Sequence, residues 1–179
     1  MNIESIIQSC KKKERAAQRM LVDALAPYLF SIAKRYVKQT EDAKDVLQDS
    51  LIKIFKNIDK CQVQEAAFRA WCKRIVINTA LERFRRAARV KELYPGKYPN
   101  EPEQFPQAIE QLQTADILRL LERLPEIQKQ VFNLYVIDGY RHAEIADMLQ
   151  IQESSSRTTY MRARRNLQEL IKKSDKIRS

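Results

Sequence analysis

Apolar residues recur at three- and four-residue spacing over most of the chain, the pattern of helices that bury one face rather than of strands. Ile6 to Leu25 and Pro27 to Val37 carry this spacing and predict helices in the first part of the sequence. Thr40 then offers an N-cap, with Glu41 and Asp42 in the first turn, where a helix dipole favours negative charge. From Ala43 an apolar stripe runs through Val46, Leu47, Leu51, Ile54, Phe55 and Ile58, and a further helix is predicted from about Glu65 to Arg89. Later in the chain the spacing predicts helices at about 107–123, 126–137, 142–149 and 154–172. Pro125 suits a first helical turn and Gly139 a C-terminal cap.

Glycine occurs only twice, at Gly96 and Gly139, which argues against an all-β chain rich in tight turns and against Gly-rich phosphate loops. Pro95, Pro99, Pro102 and Pro106 fall together in Tyr94–Pro106, a stretch without apolar periodicity that reads as a linker. The expected architecture is therefore all-α: two small helical domains, residues 1–92 and 113–179, joined by a proline-rich linker over 93–112.

Charge follows the same division. The net charge of +10 distributes as +9 over residues 1–92, −2 over 93–112 and +3 over 113–179, so two basic modules flank a mildly acidic tether. That balance points to an acidic partner, nucleic acid before a membrane surface, with a merely solvated basic surface as the alternative. Cys10, Cys61 and Cys72 are odd in number and widely spaced, which suits reduced thiols, and the single histidine, His142, leaves no His/Cys metal shell to assemble. No metal, cofactor, small-molecule substrate or catalysis is expected. No stretch approaches the roughly 18 uncharged apolar residues of a membrane span, and the polar, then basic start (Lys11, Lys12, Lys13) lacks a signal-peptide core. A cytoplasmic protein without membrane insertion is expected.

Three constellations carry function. Arg141 to Tyr160 reads as a short helix with Ile145, Ala146 and Leu149 inward, a turn plugged by Ile151, and a second helix: helix-turn-helix spacing, or else an ordinary helical hairpin. Tyr160, Ala163, Leu167 and Leu170 form the second helix's expected buried stripe. Ser154, Ser155, Ser156, Arg157, Thr158, Met161, Arg162 and Arg165 are its candidate DNA contacts, since arginine pairs with guanine or grips phosphate and serine bonds to phosphates or caps the helix. Gln150 stands where many such turns have glycine, and Ser156 where they often have a buried aliphatic residue.

Residues 69–91 hold eight Lys or Arg against one Glu. At about 100° per residue Arg74, Asn78, Arg85 and Arg89 cluster on one side, an amide within a basic row that suits a nucleic-acid backbone and one base-reading position. Phe68, Arg69, Trp71, Lys73 and Arg86 complete this candidate set; the two aromatics suit stacking on extruded bases and equally suit a helical core. Asp45, Gln48, Asp49 and Ile52 follow i, i+3, i+4, i+7 and share a face distinct from the apolar stripe. An acidic, partly apolar face on a basic module suits a protein partner, or is a plain exposed surface.

Together these motifs resemble the extracytoplasmic-function (ECF) sigma factors of bacterial RNA polymerase, over about Leu21 to Ile171. Asp45-Val-Leu-Gln-Asp-Ser-Leu51 is similar to the family's region 2.2, implying that Asp45, Gln48, Asp49 and Ile52 bind the polymerase β′ coiled coil. Trp71-Cys-Lys-Arg-Ile-Val-Ile-Asn78 through Arg86 resembles regions 2.3 and 2.4, which recognise and help open the −10 element, although Glu82 stands where the family often has aspartate. Leu124 to Phe132, Glu144-Ile-Ala146 and Tyr160-Met-Arg-Ala-Arg164 resemble region 4, which reads the −35 element. The resemblance implies a non-catalytic initiation factor with core polymerase (β′ coiled coil and β flap), promoter DNA and an anti-sigma protein as partners. It also implies ATP-free melting, with Asp59 to Ala67 as the segment receiving −10 bases. The main rival is a helix-turn-helix regulator with an N-terminal sensing or dimerisation domain; a nucleic-acid enzyme would need a metal-binding carboxylate cluster that is not visible in the sequence.

Overall fold

The computed structural model describes residues 2–91 and 119–178, and every regular element among them is helical. The expected linker over 93–112 and most of the helix expected at 107–123 lie outside the described residues. The chain divides into two units, Met1–Lys91 and Glu92–Ser179.

In the first unit α1 spans Ile3–Lys11, capped by the Asn2 side chain, which accepts from Glu4 N at 3.4 Å, and buries Ile6, Ile7 and Cys10. It ends at Lys12. Lys13 takes a left-handed φ of 62°, while Lys13 N donates to Cys10 O and Glu14 N to Ser9 O, the paired bonds of a Schellman ending. The apolar run expected to continue from Ile6 to Leu25 is thus broken by a lysine doing what glycine usually does. By contrast, α2 (Arg15–Tyr36) passes straight through Pro27. The hydrogen bond that Pro27 cannot make would have gone to Asp23; both residues are exposed, so water can replace it. Ala17, Leu21, Leu25, Leu29, Ile32, Ala33 and Tyr36 form the buried stripe of α2.

Helix α3 (Thr40–Asn57) has Gln39 at its cap position, so Thr40 is its first residue and not its cap. Ala43, Val46 and Ile54 are buried as expected, but Leu47, Leu51 and Phe55 are only half-buried. A 3-10 turn at Ile58–Lys60 leads to α4 (Glu65–Lys91), which packs on α2 and α3. The three cysteines are free and buried. Loss of solvation raises each thiol's pKa, that of Cys72 to about 12.

In the second unit Pro125 occupies the N-cap position of α5 (Glu126–Phe132), one residue before the first turn expected for it, and α5 loosens into a π-helical turn at Asn133–Ile137. Gly139, with φ of 76°, lets Tyr140 N return to Leu134 O at 2.9 Å and turns the chain into α6 (His142–Leu149). Glu144 Oε2 accepts from Arg141 N at 2.9 Å at the head of α6. Gln150 then adopts a left-handed φ of 58°, Ile151 N bonds to Ala146 O, and α7 (Glu153–Arg178) packs against α5 and α6.

Candidate nucleic-acid and protein interfaces

Taking about 100° per residue, Arg74, Asn78, Arg85 and Arg86 lie within about 60° of Trp71 around α4. Arg74 and Arg86 are exposed; Trp71, Asn78 and Arg85 are half-buried. Beside this arc is a pocket of about 370 Å³ lined by Lys53, Asn57, Lys60, Trp71, Ile75, Asn78, Thr79 and Glu82. Lys53 Nζ bonds Glu82 at 2.7 Å and Thr79 Oγ1 at 3.1 Å, stapling α3 to α4 and leaving Lys60 as the wall's unbalanced charge. Glu82 thus has a structural partner. Neither Asn78 nor Lys60 makes a hydrogen bond or ion pair among the described residues, so an amide and an ammonium are available next to an indole face. Arg89's side chain lies outside the described residues.

Other members of the expected set fall elsewhere. Phe68 is 0% exposed and supports Trp71 from below, ring centroids 5.7 Å apart, so it belongs to the core and cannot stack on a base. Arg69 and Lys73 each sit about 160° around the helix from Trp71, away from the arc. Arg69 bonds Glu65 at 2.8 Å and lies over Tyr28 of α2. Arg83, one of the basic run, turns to the acidic face of α3: its guanidinium lies 3.2 Å from Asp45, 3.7 Å from Asp49 and 3.9 Å from Asp42.

That acidic face is solvent-facing. Asp45, Gln48, Asp49 and Ile52 are all exposed, Ile52 at 46%. The residues that left the expected core, Leu47, Leu51 and Phe55, line an open groove beside it of about 620 Å³ with Gln18, Lys44, Gln48, Ile52 and Lys56. One side of α3 therefore offers carboxylates partly neutralised by Arg83, and the adjoining side offers apolar surface rimmed by lysines.

In the second unit Ile145, Ala146 and Leu149 point inward, and Tyr160, Ala163, Leu167 and Ile171 form the buried stripe of α7. Ile171 takes the place expected of Leu170, which is half-exposed. Ser154, Ser155, Arg157 and Arg165 are exposed, and Thr158, Met161 and Arg162 half-buried. Glu153 holds Arg157 at 2.7 Å, and Thr158 Oγ1 donates to Ser154 O. Ser156 corrects the expectation: it is 0% exposed and shares a 2.9 Å hydrogen bond with His142 Nδ1, so it cannot reach a phosphate. His142 in turn stacks on Tyr135, centroids 4.3 Å apart, and Tyr135 meets Tyr160 at 4.6 Å. A polar and aromatic cluster thus joins α6 to α7 where an aliphatic contact was the usual alternative. Arg164, buried over the Tyr160 ring, was not anticipated.

Among the described residues there is no group of His, Cys, Asp and Glu able to hold a metal, and no helix long and apolar enough to cross a membrane. Residues 21–90 match the sigma-70 region 2 family and residues 114–167 the sigma-70 region 4 family. The chain is 30% identical over 149 residues to the ECF RNA polymerase sigma factor SigM of Mycobacterium tuberculosis, covering 80% of this chain and 71% of that protein. It is 23% identical to the RNA polymerase sigma-H factor of Pseudomonas aeruginosa, covering 90% and 89%. Among solved structures it is similar in fold to the sigma factor RpoE of Bartonella quintana, crystallised with the anti-sigma factor NepR, with a TM-score of 0.52 and 22% identity over 86% of this chain and 96% of that one.

Proposed function

The chain belongs to the sigma-70 family as an ECF-type sigma factor, which directs RNA polymerase to promoters, and from that membership we propose how its residues divide the work. Residues 1–92 hold core polymerase and receive the −10 element, residues 113–179 read the −35 element, and residues 93–112 tether them. The observation that carries this reading is one side of α4, which carries Arg74, Asn78, Arg85 and Arg86 along the same arc as Trp71, with Trp71 and Asn78 lining a pocket whose Lys53 and Glu82 already pair with one another.

Arg74, Arg85 and Arg86 follow the strand backbone, while Trp71 and Asn78, with the Asp59–Glu65 link, receive bases leaving the stack; the rest of the expected Asp59–Ala67 segment is the first turn of α4. Unpairing costs a few kcal/mol per base, and stacking on an aromatic ring returns about 1–3 kcal/mol per base. Capture of one or two bases therefore returns part of the cost of unpairing them and biases spontaneous opening without ATP, and the factor itself catalyses nothing.

Asp45, Gln48, Asp49 and Ile52 meet the β′ coiled coil of core, and the second unit meets the β flap. Ser154, Ser155, Arg157, Thr158, Met161, Arg162 and Arg165 face the −35 duplex, with arginine suited to guanine edges or phosphates. An anti-sigma protein covering the same α3 surface would silence the factor in the cytoplasm; the likeness to a sigma factor crystallised with one supports this partner class.

The test mixes the purified chain with core polymerase and a promoter library. Specific initiation is expected, whereas a helix-turn-helix regulator would bind DNA and leave core inert. Asp49→Arg should weaken core affinity by about 30-fold or more, the effect of placing like charge at a polar interface. It should leave the fold intact, because an exposed pair such as Asp49–Arg83, at 3.7 Å, contributes at most about 1 kcal/mol. Unchanged core affinity would remove the assignment of this face.

A further inference from the structure

Helix α1 precedes residue 21, where the region 2 family match begins, yet two of its polar side chains reach residues 59–65 within that match. Lys11 Nζ donates to Cys61 O at 2.7 Å and lies 3.5 Å from Asp59 O. Glu4 Oε1 accepts from Glu65 N, the first residue of α4, at 3.3 Å. These contacts bracket the link between the 3-10 turn and α4. Glu4 and Lys11 are seven residues apart in the sequence, which puts them on nearly one face of α1, about 10 Å apart along its axis.

The charges suit their places. A carboxylate at the N-terminus of α4 meets the positive end of that helix, and Lys11 sits in the last turn of α1, where a cation is favoured. Ile6, Ile7 and Cys10 anchor α1 in the core, Ile7 on the turn between Glu4 and Lys11, so the helix is fixed when those two side chains grip the link. Cys61, whose carbonyl Lys11 holds, is itself buried, and Lys60 beside it lines the Trp71 pocket.

We propose that α1 is a splint that fixes the Asp59–Glu65 link, with Lys11 and Glu4 as positioning residues for −10 recognition. This rests on the reading that the link and the adjoining pocket receive −10 bases. Without the two grips the link would keep its ends but lose its internal shape, and one reading position would blur while the rest of the factor worked as before.

Two measurements on the full chain and its holoenzyme separate the splint from that premise. Amide hydrogen exchange across residues 59–65 should rise in Lys11→Ala and return towards the parent in Lys11→Arg, which keeps a cationic donor; unchanged exchange in Lys11→Ala overturns the splint. Transcription from a library randomised at both promoter elements should show Lys11→Ala losing about tenfold of its preference at a −10 position, about the effect of one hydrogen bond. Its −35 preference and core affinity should hold, and Lys11→Arg should restore the −10 preference. Retained −10 preference in Lys11→Ala, where Lys60→Ala flattens it, overturns the positioning role. Loss of both elements together, in proportion to lost folded protein, reduces α1 to a stability element and likewise overturns the role. If neither Lys60→Ala nor Lys11→Ala alters the −10 preference, the base-reading premise falls, and the exchange data still decide whether α1 grips the link.

Discussion

Ser156→Ala distinguishes a DNA contact from an interior one. Ser156 is fully buried and its hydroxyl bonds His142 Nδ1 at 2.9 Å, inside a cluster with Tyr135 and Tyr160. Removing a buried partner costs about 1–3 kcal/mol, and alanine's better helix propensity returns about 0.5 kcal/mol. The net loss of about 0.5–2.5 kcal/mol should lower the melting temperature of the second unit by about 2–20 °C, given about 4–8 °C per kcal/mol for a unit of this size. The chain's single tryptophan, Trp71, lies in the first unit, so its fluorescence melt should stay in place while the circular dichroism transition of the second unit moves down. His142 is the only histidine, and its imidazole proton resonance should shift with loss of the serine partner. Below the transition, affinity for a −35 duplex should match the parent. An unshifted melt accompanied by weaker duplex binding would refute this, and would put the Ser156 hydroxyl on the DNA side of α7.

Gln150→Gly should raise the melting temperature of the second unit by about 4–8 °C, because glycine removes the roughly 1 kcal/mol penalty of a side chain at left-handed φ; a lower temperature would show that other Gln150 contacts outweigh the strain. The buried Cys72 thiol titrates at about 12, above its ordinary value of 9.0, so it stays protonated in the folded chain after the unfolded chain has released its proton. Its stabilising effect is complete below about pH 9 and is then lost by about 1.4 kcal/mol per pH unit as pH rises towards 12. Urea midpoints read from Trp71 fluorescence between pH 7 and 10 should fall less steeply in Cys72→Ala, and parallel slopes would contradict this account.

Helical spacing made much of the fold legible, because three- and four-residue recurrence is set by burial and survives tertiary context. Boundaries were less legible where an ordinary residue did a special residue's work. Lys13 ends α1 in the conformation usually given to glycine, and Pro27 interrupts nothing because Asp23, whose carbonyl it deprives, is exposed. Ser156 was misassigned although its position was readable: it lies four residues before Tyr160, seven before Ala163 and eleven before Leu167, on the buried side. Its polar side chain suggested phosphate, and only the partner fourteen residues back, His142, shows why a hydroxyl can be interior.

The basic run of residues 69–91 shows how far charge counting reaches. Successive residues on a helix point about 100° apart, so a run of arginines is divided among faces rather than massed on one. Arg83 is drawn to Asp45 and Asp49 on α3, Arg69 to Glu65 and Tyr28, and Arg74 and Arg86 remain for solvent and an acidic partner. Angle alone separates Arg69 from the nucleic-acid arc, but the capture of Arg83 needs α3 packed beside α4. Lys11 and Glu4 lie still further beyond sequence reading. Their partners are fifty and sixty-one residues away, and no local pattern marks a lysine that bonds a distant carbonyl as different from one that is merely solvated.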